Sequence, residues 1–234
     1  MLLPRSILFT IVWLLTGIIA GCVSILAFPL PYLARYRIVM LWNRFVIWWV
    51  TLSCGIHFTI IGERNYPSEP YVVLSNHQSA WETIFLQYYF GPISTILKRE
   101  LLRIPFFGWG LAMLRPIPID RGSPINALRK VKALGKSRLA SGYNVLVFPE
   151  GTRIPFGSIG TYARSGADIA CSAEVPIVPV AHNAGKYWPK NGLLKLPGTI
   201  TVVIGKPIPT VGRSSREVTK EVKNWVESEV AKMS

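Results

Sequence analysis

From Ser6 to Ala34 the chain carries no charged side chain, and nothing else in it limits the possible folds so strongly. The densest part, SILFTIVWLLTGIIAGCVSILAF, covers 23 residues, roughly 35 Å as a helix, enough to cross the hydrocarbon core of a bilayer. A second apolar stretch, FVIWWVTLSCGI at 45 to 56, follows Arg35, Arg37 and Arg44, with Trp42, Trp48 and Trp49 suited to a headgroup boundary. This leader is membrane-associating. A cleaved secretory signal is disfavoured, because the run exceeds a usual signal core and lacks a small-x-small cleavage site. Two topologies remain: a single span with Arg5 on one side and Arg35, Arg37 and Arg44 on the other, or two helices in one leaflet, broken at Phe28-Pro29-Leu30-Pro31. Both leave the rest of the chain on the cytoplasmic side. On this reading, removing residues 1 to 56 weakens membrane association without unfolding the C-terminal part of the chain.

The 234 residues suffice for one full α/β domain and an accessory segment. Lys and Arg number 26 against 12 Asp and Glu, a net charge of +14. Such a surface favours nucleic acid, anionic lipid or acidic partners. Because the tryptophans concentrate in the apolar leader, they read as membrane contacts rather than base-stacking platforms, which favours anionic membrane lipids and excludes nucleic acid. Cys22, Cys54 and Cys171 show no C-x-x-C spacing, so neither a disulfide framework nor a zinc site is expected. His57 and His182 read as satisfied polar residues at strand edges, and no metal is expected.

Beyond residue 57 short β-branched runs alternate with helical patterns. Strands are predicted at 58 to 61, 71 to 74, 94 to 97, 116 to 119, 144 to 148, 176 to 181 and 199 to 204. Helices are predicted near 80 to 89, 107 to 113, 124 to 141, 162 to 173 and 215 to 232, the last with a packing stripe of Val218, Val222, Trp225, Val226 and Val230. The implied fold class is α/β: a largely parallel central sheet flanked by helices, with residues 1–56 as membrane-associating segment and 57–234 as one domain.

In such sheets ligands collect at the carboxyl ends of the strands. Three polar clusters fall there: NHQSAWE (76 to 82), DRG (120 to 122) and PEGTR (149 to 153). In the first, Ser79 and Glu82 form the S-x-x-E pattern of a capping box, with His77 in the turn before the helix. Glu82 is therefore either a cap alone or also the partner of His77. PEGTR suits a type I turn with Pro149 at i+1 and Gly151 at i+3, and Arg121 with Arg153 could fork onto a phosphate.

Together NHQSAWE, KRELLRIPFFGWG (98 to 110), IPIDRG, VFPEGTR and VPIVPVAHNAG resemble the four ordered motifs of the glycerolipid acyltransferases, most closely the bacterial 1-acyl-glycerol-3-phosphate acyltransferases. The resemblance covers residues 57 to 210, and the leader looks like that family's membrane-associating segment. It implies that His77 is the general base and that Glu82 stands where the family usually has Asp. It implies that Glu150, Gly151, Thr152 and Arg153 bind the acceptor's glycerol phosphate and that Arg121 is a further phosphate ligand. TYARSGA at 161 to 167 departs from the family's Lys-Tyr-Lys-x-Gly-Gly, since Thr161 and Ala163 replace both lysines.

The implied reaction moves a fatty acyl group from a thioester, on acyl carrier protein or coenzyme A, to the sn-2 hydroxyl of lysophosphatidic acid, giving phosphatidic acid. An alcohol is too weak an acid to attack a thioester unaided, and a histidine can take its proton near neutral pH. No protein nucleophile and no cofactor is needed, and the chain has no G-x-S-x-G elbow. Amides near Ser79 are candidate oxyanion donors. The expected place is the cytoplasmic face of a bacterial inner membrane. Rival readings are acylation of another lysolipid such as lyso-ornithine lipid, or a non-catalytic anionic-lipid-binding protein.

Overall fold

The structure, a computed structural model, describes residues 2–120, 124–190 and 192–233. Helix α1 (Leu2–Leu26) and helix α2 (Tyr32–Cys54) are separated by the Pro29 and Pro31 break. Proline lacks the amide that continues a helix. α2 stops at Gly55, whose φ of 70° is left-handed and whose N–H donates to the Thr51 carbonyl.

Seven strands come next: β1 (Ile56–Ile61), β2 (Val72–Ser75), β3 (Ile93–Lys98), β4 (Ile117–Ile119), β5 (Asn144–Val147), β6 (Ile177–His182) and β7 (Gly198–Ile204). They form one sheet in the order β1-β7-β6-β2-β5-β3-β4. Every pairing is parallel except β6 with β7. The helices are α3 (Trp81–Tyr89), α4 (Phe107–Met113), α5 (Pro124–Ala140), α6 (Ser165–Ala173), the one-turn α7 (Ala184–Tyr187) and α8 (Ser215–Ala231), with a 3-10 turn at Arg99–Arg103. All seven predicted strands and five predicted domain helices are present, with no end shifted by more than three residues. Helix α6 starts at Ser165 rather than 162 because the preceding chain is drawn to the 149–153 turn, where the Ala163 N–H donates to the Pro149 carbonyl.

Alternation along the strands divides the core in two. Val73, Leu146, Val178 and Val180 pack with Phe9 of α1, Val46, Ile47 and Val50 of α2, and Trp81 and Phe85 of α3. Val72, Val145, Val147 and Ile177 face the other way, against Val131 of α5, Ile169 of α6, and Val218, Val222 and Val226 of α8. Both faces of a mainly parallel sheet are thus covered.

The leader is part of this core. The Arg5 side chain donates to the Ser53 carbonyl, and the Lys195 N–H donates to Ser6 Oγ. Farther along α1, a Cβ on Gly21 would lie 2.6 Å from the Phe106 backbone, so only glycine permits that approach. Two of the tryptophans share the same duty, which corrects the reading of Trp42 and Trp49 as boundary residues. Trp42 and Trp49 pack against the core, Trp42 Nε1 donates to Thr16 Oγ1, and only Trp48 of the three is widely exposed, at 57%.

This packing also overturns the expectation that residues 1–56 can be removed without harm. Phe9, Val46, Ile47 and Val50 each contribute about 1.5 to 3 kcal/mol of burial, a sum comparable with the roughly 5 to 15 kcal/mol that holds a typical domain folded. A 57–234 fragment is expected to aggregate or to lose cooperative melting. A soluble fragment melting within a few degrees of the intact chain in the same detergent would contradict this.

Candidate active site

Strand β2 ends at Ser75, and the chain turns through Asn76 to Ala80 before α3 begins at Trp81. Glu82, in the first turn of α3, is fully buried. Its Oε1 lies 2.7 Å from His77 Nδ1 and accepts the N–H groups of Gln78 at 2.9 Å and Ser79 at 2.7 Å. The capping box is half formed: Glu82 reaches back to the Ser79 amide as expected, while Ser79 Oγ accepts from the Trp81 N–H instead of from Glu82. Cap and histidine partner are therefore one carboxylate. Burial by itself would raise the Glu82 carboxyl. The hydrogen bonds from the His77 ring and the Ser79 amide outweigh it and hold the group below the usual carboxylate range. An ionised Oε1 accepts the hydrogen bond of Nδ1–H, which fixes that tautomer and leaves the His77 Nε2 lone pair available. The imidazole also stacks on Phe148 at 4.3 Å between centroids.

The His77 backbone is held by the loop that follows β5. Its N–H donates to Glu150 Oε2 at 2.6 Å, and its carbonyl accepts from the Ile154 N–H at 2.7 Å. On the other side, the Asn76 side chain donates to the His182 carbonyl at 2.8 Å and accepts the His182 N–H at 3.0 Å. His182 is itself bonded as a neutral ring: Nε2–H donates to the Asn76 carbonyl and Nδ1 accepts from the Ala184 N–H. Burial pushes that ring down, which keeps it neutral.

Strands β2 and β5 are parallel neighbours, so the loops after Ser75 and Val147 open on one edge. The 149–153 loop forms the expected turn, with the Gly151 N–H donating to the Phe148 carbonyl. Gly151 and Thr152 are exposed and Arg153 is half-buried. Arg153 Nε is buried without a hydrogen-bond partner among the described residues. Lys190 reaches this loop from beyond α7, its Nζ 3.3 Å from Thr152 Oγ1 and 3.3 Å from the Arg153 carbonyl. Nothing in the local sequence around Lys190 signals that contact. Arg121 lies outside the described residues. The Glu150 carboxylate is turned inward onto His77, not outward with Thr152. The Gln78 and Ser79 amides, the candidate oxyanion donors, are already taken by Glu82. Among the described residues no cluster of metal-ligating side chains occurs.

Known proteins resemble this chain in sequence and in fold. A family model described as Acyltransferase matches residues 57–183. The chain is 46% identical over 235 residues to a 1-acyl-sn-glycerol-3-phosphate acyltransferase of Pseudomonas aeruginosa, covering 98% of this chain and 91% of that one. It is 32% identical over 167 residues to the human 1-acyl-sn-glycerol-3-phosphate acyltransferase alpha, covering 70% of this chain and 59% of the human protein. The crystal structure of the 1-acyl-sn-glycerophosphate acyltransferase of Thermotoga maritima has the same fold, with a TM-score of 0.80 over 99% of this chain and 95% of that chain at 23% identity.

Glu150 gives the site a measurable pH signature. Burial pushes its carboxyl from the ordinary 4.5 up to about 7, with the charges of Glu82 and Glu227 adding to the rise and the His77 amide opposing it. Below 4.5 the carboxyl is protonated in both folded and unfolded chains. Between 4.5 and about 7 the unfolded chain ionises first, so this contribution to stability is lost as pH rises through the window. Glu150→Gln cannot titrate. Its melting temperature relative to the parent is expected to rise by a few degrees from pH 4.5 to pH 8, and a difference constant with pH would refute the shift.

Proposed function

Since the chain belongs to the Acyltransferase family, we propose that the His77 and Glu82 pair catalyses its reaction. The enzyme moves a fatty acyl group from an acyl thioester to the sn-2 hydroxyl of 1-acyl-sn-glycerol-3-phosphate and forms phosphatidic acid. The observation that carries the assignment of the pair is the 2.7 Å contact between His77 Nδ1 and the buried Glu82 carboxylate at the sheet edge. His77 Nε2 takes the hydroxyl proton as the acceptor oxygen bonds to the thioester carbonyl carbon. Glu82 fixes the tautomer and stabilises the imidazolium. The tetrahedral intermediate then expels the thiolate, which takes the proton back from His77, so that ester and free thiol are the products. Arg153, with its unpartnered Nε, suits the acceptor phosphate. The acyl donor is read as acyl carrier protein or coenzyme A thioester.

Among the described residues one helix, Leu2–Leu26, is long and apolar enough to cross a membrane. The favoured reading is that it lies in one leaflet on the cytoplasmic face of a bacterial inner membrane. Supporting this, Ser6 near one end and Gly21 near the other both contact the catalytic domain, which a helix crossing the bilayer and leaving that domain behind could not do. Its outer row, including Leu8, Ile11, Leu15 and Ile19, is exposed. Replacing Leu8, Leu15 and Ile19 together by Gln is expected to shift the protein to the soluble fraction with little change in melting temperature. Retention until detergent is added would favour a span.

A positioned general base contributes about 10² to 10⁴ in rate, roughly 3 to 5 kcal/mol of barrier. His77→Ala is expected to lose at least that much acyl transfer, read by mass spectrometry of the lipid product, while remaining folded. Glu82→Gln keeps an oxygen for the Gln78 and Ser79 amides but removes the charge facing His77. Its activity should fall by a similar factor with stability nearly preserved, and near-normal activity would leave His77 acting alone.

A further inference from the structure

The acceptor loop draws on a cation that lies outside its own segment. Lys190 comes after α7, and that stretch is pinned by Trp188, which is buried, stands edge-on to Phe9 and Trp13, and donates its N–H to the Ala184 carbonyl. From that fixed base the Lys190 ammonium extends to the 149–153 loop and touches Thr152 Oγ1 and the Arg153 carbonyl. A lysine ammonium has three donors, and these two contacts are long and neutral, so neither donor capacity nor charge is exhausted. Among the described residues no carboxylate lies within ion-pair distance of Lys190 or Arg153. Glu150, the acid of the loop, is committed to the His77 amide.

The part of the neighbouring segment that lies against the loop brings no positive charge, and its first cation is Arg164 at the start of α6. Ala163 donates its N–H to Pro149 and so lays residues 160–163 beside the loop, yet these are Gly160, Thr161, Tyr162 and Ala163. Lys186, the other lysine of this stretch, sits over the Phe156 ring, 5.6 Å from its centroid. A phosphate monoester carries close to two negative charges near neutral pH. A guanidinium fork offers geometry and one charge, and an ammonium beside it supplies the second as a point charge.

We infer that Lys190 is a second cation of the acceptor-phosphate subsite, paired with Arg153 and selecting a phosphate monoester headgroup. The inference rests on reading Arg153 as a phosphate ligand. Because Lys190 is exposed, its worth is that of a partly screened charge-assisted contact.

The test compares the intact enzyme in detergent with Lys190→Gln, Lys190→Met and Lys190→Arg, using 1-acyl-glycerol-3-phosphate and a fixed acyl thioester. Gln and Met are both expected to raise the acceptor KM about five- to tenfold and to flatten its dependence on salt, and Arg is expected to stay within about twofold of the parent. The thioester KM and the melting temperature should not move. If Gln matches the parent while Met does not, Lys190 merely props the loop through its hydrogen bonds, and the inference fails. It fails equally if every variant matches the parent. A parent enzyme that does not acylate this acceptor at all would instead overturn the reading of the site itself, and Arg153→Ala would then be without effect on acceptor KM for whichever lysolipid is used.

Discussion

The structure turns on one buried carboxylate. An ionised acid removed from water is tolerated only when charge and hydrogen bonds replace its hydration. Glu82 gathers its partners on a single oxygen, Oε1, which receives the His77 ring and two successive amides of the same turn, while Oε2 is buried with no hydrogen-bond partner among the described residues. The turn has to coil around the carboxylate to bring three donors to one point, and this places a histidine five residues earlier against a helix's first turn. On a continuous helix those positions would diverge by about 140°. The glutamate's extra methylene compared with aspartate gives the reach to cap α3 and to hold the imidazole at once.

Sheet topology completes what the local turn begins. β5 and β6 flank β2 in parallel, so the loops leaving all three strands gather at one edge. Glu150 closes on the His77 amide across 73 residues of sequence, and His182 closes on Asn76 across 106. The His77 N–H and carbonyl are thereby fixed by the loop after β5 and its neighbour Asn76 by the end of β6, while the ring is stacked on Phe148. Such immobilisation suits a base whose work depends on sub-ångström placement relative to substrate.

Much of this was legible from local pattern. Short β-branched runs located seven strands, the paired prolines located the break between α1 and α2, and the His77 to Glu82 spacing anticipated the contact between them. What escaped has a common physical origin, since partners distant in sequence leave no local trace. The inward turn of Glu150, the pairing of Asn76 with His182 and the reach of Lys190 all depend on which loops the sheet brings together. The tryptophans failed for a different reason. An aromatic ring in an apolar helix suits a headgroup boundary and a protein core equally well, and only the packing of α1 on α2 assigns Trp42 and Trp49 to the core.

That packing also ties the membrane to the chemistry. Helix α1 shows lipid-facing leucines and isoleucines on one side while Phe9 is fully buried on the other, so one helix serves both the bilayer and the core. Helix α2 passes the constraint to the helix that carries Glu82. Asn43 Nδ2 donates to the Ile84 carbonyl at 3.0 Å, and the Tyr36 hydroxyl donates to the Gln87 carbonyl at 2.6 Å, both in buried surroundings. Breaking either leaves a buried polar group unpaired, which costs more than an ordinary hydrogen bond contributes. The catalytic helix is therefore locked in height and rotation to the helix pair that meets the lipid. On the proposed function, an acceptor arriving from the bilayer with its headgroup at the surface would meet His77 and Arg153 at a fixed depth.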